Sequence, residues 1–223
     1  MRGGRDATTG RSGRARAFGR DGPRTCRYGA GVTLRLAPSL PDRADRGRLG
    51  GAPPAVLESH PLLATHRYVL TLPAGCAPWA TDVEVSVLLR AGFDIGDDDL
   101  EYPAMAMRAL VHAPAPRGSR SDLGWPGLRA TALTALPDDD DRPGLVRVAD
   151  QPALIQGRPE YAAAVLADGH RFLFQVDEEG WPQDGALADV VDEYLWGFGS
   201  VFFYGTPGAD GVPPEVVAGF IDF

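Results

Sequence analysis

"HRFLFQVDEEG", residues 170–180, decides the fold class of this chain. It is a short apolar run of strand type that ends in three acids and a glycine. Period-two alternation places His170, Phe172, Phe174 and Val176 on one face, and Arg171, Leu173, Gln175 and Asp177 on the other. The first is a core face. The second reads either as an ordinary solvent face or as the floor of a polar cleft. Asp177, Glu178 and Glu179 are consecutive, and consecutive strand or turn residues point in different directions. They therefore read as a solvated turn rather than as paired acid–base carboxylates.

Outward from this run, "RPEYAAAVLADGH" (158–170) predicts a helix, with Pro159 and Glu160 suited to its first turn and Asp168-Gly169 as its stop. Short alternating runs at 66–73, 81–92 and 128–137 predict strands, as do the Gly-rich aromatic stretch near 200–204 and "VVAGFIDF" at 216–223. Residues 104–114 fit strand or helix, and "GALADVVDEYLW" (185–196) predicts a second helix. Strands dominate without a regular strand–helix alternation. The expected architecture is a single α+β domain with a largely antiparallel or mixed β-sheet and a few short helices.

The chain has 223 residues, 44% of them hydrophobic, enough for one well-filled core. It contains no long uninterrupted apolar run and no signal-peptide pattern, so the expectation is a cytoplasmic protein without a membrane segment. Cys26 and Cys76 are the only cysteines, too few for a disulfide framework. Residues 1–50 carry 12 Arg against 4 Asp, whereas 51–223 carry 10 Arg against 26 acids, a net charge of −16. Residues 1–55 read as a disordered basic arm followed by a Pro/Gly-rich linker, with a start at Val32 as one reading, and the organised domain is expected at 56–223. The acidic body makes nucleic acid an unfavoured partner despite the basic head.

"DIGDDDLE" (94–101) and the four aspartates at 138–141 lack calcium-loop spacing, and the four histidines and two cysteines show no zinc spacing. No metal or cofactor is expected. G-x-S-x-G, P-loop and G-x-G-x-x-G signatures are absent, which weighs against a standard hydrolase, kinase or dehydrogenase. "YLWGFGSVFFYG" (194–205) groups six aromatics with three glycines, either as core or as a contact surface.

Three stretches in the C-terminal third, "QPALIQGRPEY" (151–161), "FLFQVDEEG" (172–180) and "LWGFGSVFFYG" (195–205), resemble in order and spacing the YwqG-like family of bacterial proteins of unknown function. The chain differs in carrying Asp150-Gln151 where that family has paired glycines. The resemblance implies a compact α+β fold, no established activity and, through the setting of family members, an immunity-type role. It singles out Gln156, Gln175 and Asp177, flanked by Trp181, Trp196 and Gly197, as either a buried hydrogen-bond network or a recognition cleft. The expected function is non-enzymatic binding of a basic protein partner. The alternative is a small-molecule binder or enzyme with its cleft near Gln175 and Asp177.

Overall fold

The computed structural model describes residues 34–39, 47–138, 140–181, 190, 192–206, 208, 213 and 215–223. Ten strands form one sheet: β1 (Leu34–Ser39), β2 (Gly47–Leu49), β3 (His66–Leu72), β4 (Glu84–Arg90), β5 (Met107–His112), β6 (Thr131–Ala135), β7 (Val146–Val148), β8 (Arg171–Asp177), β9 (Ser200–Gly205) and β10 (Val216–Asp222). Their order is β10-β9-β8-β7-β1-β6-β2-β3-β4-β5, and every neighbouring pair is antiparallel.

The sheet curls into a nearly closed barrel. Three bulges help to bend it: Val69 is the extra residue of β3, Leu173 of β8 and Gly219 of β10. The gap between the end strands is bridged by residues 100–102, where Tyr102 N donates to Gly219 O (2.6 Å) and Ile221 N donates to Leu100 O (3.1 Å).

The bulge at Leu173 corrects the alternation expected for β8. Leu173, Phe174 and Val176 face the interior, where Phe174 stacks on Phe203 with ring centres 4.5 Å apart. Phe172 turns instead to the outer face and joins Phe202, Tyr204 and Phe220. That outer cluster is covered by the only α-helix among the described residues, α1 (Ala163–Ala167), which continues a 3-10 turn at Pro159–Ala162.

The fold is thus richer in sheet and poorer in helix than the α+β expectation. Within residues 104–114, Met107–His112 form a strand. Of the second expected helix, 185–189 and 191 lie outside the described residues, and 192–196 are not helical. Organised structure also begins well before Val56, because β1 and β2 sit in the middle of the sheet on either side of β6. Leu34, Leu36 and Leu49 alternate into the core, while the outward Arg35 donates to Pro137 O and Asp140 O, pinning the aspartate-rich loop. Proline and glycine density around these short strands hides that alternation in the sequence. The described residues contain no helix long and apolar enough to cross a membrane.

Candidate functional site

The residues singled out in the sequence fall into two adjoining arrangements. Gln175 is buried on the outer face of β8, where its amide clamps the passing chain: Oε1 accepts from Ala153 N (2.8 Å) and Nε2 donates to Ala153 O (3.2 Å). Nε2 also donates to Asp177 Oδ1 (2.7 Å), which accepts from Ser200 Oγ as well (2.6 Å). Arg147 Nη1 completes the set on Gln175 Oε1 at 3.3 Å. Burial pushes the Asp177 carboxyl above its ordinary range, against these hydrogen bonds.

Gln156 does not join this cluster. Its backbone N and that of Ile155 donate to Asp222 Oδ2 (3.1 and 2.7 Å), and its side-chain Nε2 donates to Phe223 O (2.8 Å). Register places Asp177, Ser200 and Asp222 side by side across three strands. The polar row therefore straps residues 153–156 onto the outside of the barrel. Gln175 spends both its amide groups on this strap, so it is not free to line an open cleft.

The second arrangement centres on Glu178, which corrects the solvated-turn reading: only Glu179 of the two glutamates is exposed. Glu178 is fully buried, and its carboxylate caps the loop before β9. Oε1 accepts from Leu195 N and from Trp196 N (3.0 Å), and Oε2 accepts from Phe198 N (2.6 Å). Burial raises its pKa to about 7, opposed by those backbone donors. Trp196 is fully buried, donates through Nε1 to Gly199 O (3.0 Å), and stands at 75° to Trp181 with ring centres 5.5 Å apart.

This capped loop turns one ring outward. Gly197 and Phe198 both have positive φ, 77° and 68°, and Phe198 is 52% exposed. A bulky residue in the left-handed region is strained by about 1–2 kcal/mol, so its placement is imposed by the surrounding contacts. Tyr194 meets the Phe198 ring edge-on at 4.9 Å. Gly197 leaves space for two further apolar side chains: a Cβ there would lie 3.3 Å from Ile95 Cγ1 and 3.7 Å from Phe223 Cε1. Ile95 and Phe223 are each 42% exposed. The rim is acidic, with Asp94, Asp98, Glu179, Asp192 and Glu193 exposed on the loops that carry this patch. Asp97 and Asp99, by contrast, are held by Arg90 at 2.5 and 2.7 Å, so the acid-rich loop is braced by a cation of its own.

A serine–histidine–glutamate array on β4 and β5 was not legible in the sequence. Ser86 Oγ lies 2.8 Å from His112 Nε2, and His112 Nδ1 lies 3.9 Å from Glu84 Oε2. Its only sequence signal is the two-residue spacing of Glu84 and Ser86 on one strand face, with His112 brought opposite Glu84 by pairing. Nucleophilic use is blocked because Ser86 is fully buried and His112 Nδ1 sits 2.8 Å from Ala113 O, closer than to Glu84. The hydroxyls of Ser86, Thr71 and Tyr68 instead form a chain at 2.8 and 2.9 Å that satisfies buried polar groups.

Among the described residues no group of three or more histidines, cysteines or acids is arranged to hold a metal ion. No family model, curated protein or solved structure matches this chain.

Proposed function

We propose that the protein is a non-enzymatic binding protein of the bacterial cytoplasm that docks a basic protein partner on the Phe198 patch, in the manner of an immunity-type antagonist. The observation that carries this reading is Phe198 itself, a half-exposed ring held at φ 68° by a buried carboxylate. Strain maintained at an exposed aromatic, among Ile95, Tyr194 and Phe223, suits an interface anchor better than a packing role. The acidic rim and the body's net charge of −16 favour a basic partner and would speed encounter at low salt. Membership of the YwqG-like family is part of the same proposal, supported by the motifs that supply Gln175, Asp177 and the Trp196-Gly197 loop.

The test is Phe198→Gly in the full chain. Relief of about 1–2 kcal/mol of backbone strain offsets the lost ring contact with Tyr194, about 0.5–1.5 kcal/mol, so the melting temperature should hold or rise. Captured from native lysate at low salt, a basic protein should be retained by the parent chain, released by high salt, and weakened by about 2 kcal/mol or more on the variant. A variant that melts well below the parent, or that retains the same proteins, would refute the anchor role.

A further inference from the structure

Beside the Phe198 patch lies a cleft between two pieces of chain. Trp125-Pro126-Gly127-Leu128 is a tight turn, closed by Leu128 N donating to Trp125 O (3.2 Å), with Gly127 at φ 78°. Proline in the second place and a left-handed glycine in the third are what a type II turn requires. The opposite wall is 192–195, tied to the first where Arg129 N donates to Val190 O (3.0 Å). Asp192 rests on Gly127 so closely that a Cβ there would lie 2.8 Å from Asp192 Oδ2. The cleft holds about 250 Å³ and is lined by Trp125, Pro126, Gly127, Leu128, Asp192, Glu193 and Leu195.

We propose that this cleft receives a single cationic side chain, an arginine guanidinium or a lysine ammonium, of the basic partner. Its volume falls short of the roughly 300–1,000 Å³ of pockets for drug-sized ligands, but suits one side chain. Its lining offers an aromatic wall, two buried leucines for an aliphatic stem, and two carboxylates with no cation among the lining residues. None of the ion pairs among the described residues uses Asp192 or Glu193. A lining that combines apolar side chains with carboxylates matches the dual nature of Arg and Lys side chains. Tyr194, within the 192–195 wall, touches the Phe198 ring edge-on, so one partner can fill the cleft and cover the patch together. The inference rests on the interaction-surface reading for its partner, while its chemistry is testable alone.

The experiment is an NMR titration of the full isotope-labelled chain with Nα-acetyl-arginine methylamide, and separately with Nα-acetyl-citrulline methylamide, which has nearly the same shape and no charge. The arginine derivative should shift the Trp125 indole N–H and the Gly127 and Leu195 amides, and the citrulline derivative should not. Asp192→Asn or Glu193→Gln should each weaken the arginine titration about two- to fivefold. Equal shifts from citrulline, no shift at the solubility limit, or insensitivity to the two carboxylate variants together would overturn the cleft assignment. Loss of capture by Phe198→Gly alongside a failed titration would remove the cleft and leave the patch; the reverse pattern would remove the patch and leave the cleft.

Discussion

At the scale of single residues, Glu178 shows what the sequence could and could not reveal. Three acids in a row carry no mark distinguishing the buried one from its neighbours, because the donors that need it belong to a loop 17 to 20 residues away. Gln175 was legible as an anomaly in an apolar run, yet its partner, the Ala153 main chain, is 22 residues distant. The Glu178 carboxyl has a folded-state pKa of about 7 against an ordinary 4.5, so the folded chain holds that proton more tightly than the unfolded one. Its contribution to stability is greatest below 4.5 and declines as the pH rises toward 7, then levels off. Glu178→Gln removes this titration and sets either an amide N–H or a poorer acceptor against Phe198 N, at a cost of about 1–3 kcal/mol. The melting-temperature advantage of the parent over Glu178→Gln should therefore be largest below pH 4.5 and shrink toward neutrality. An advantage that grows with pH would mean that the backbone donors outweigh burial and hold the group as a low-pKa carboxylate.

At the scale of elements, the antiparallel strands were readable from period-two patterning, and the faces of β8 were readable only beyond Leu173, with Phe174 and Val176 inward as expected and Phe172 and Leu173 exchanged. A bulge leaves no local signature beyond an extra apolar residue, as at Leu173, and it reverses the face of everything beyond it. The turn after β8 illustrates a related constraint. Gly180 packs against the chain before β7, and a Cβ there would lie 2.2 Å from both Gly144 C and Leu145 N. Backbone cannot swing aside as a side chain would, so Gly180→Ala should cost about 3 kcal/mol or more. Gly75→Ala is the control, since Gly75 has φ 76° but nothing within 4 Å, and should cost only the roughly 1 kcal/mol of left-handed backbone. Chemical denaturation of the two variants gives both numbers. Equal losses would show that the 177–180 turn shifts to make room.

At the scale of the whole molecule, the expected boundary at 56 would have removed β1 and β2, which with β6 join the β3–β5 half of the sheet to the β7–β10 half. Pairings between strands far apart in the chain set this arrangement, and a reading from local patterns cannot supply them. The barrel's circuit is also completed unevenly. Nine neighbouring strand pairs are laced by ladders, while the last junction depends on the three residues 100–102 against β10. Such a cylinder resembles a sleeve fastened by one short zip. Thermal breathing should begin there, so the amides of Tyr102 and Ile221 should exchange with deuterium faster than those of β8 and β9, and if they prove as slow as the central strands, the seam is as strong as the cloth. Because β10 ends at the residues that support the Phe198 patch, each opening of that fastening would also loosen the docking face, tying how firmly the protein can grip to how tightly it stays shut.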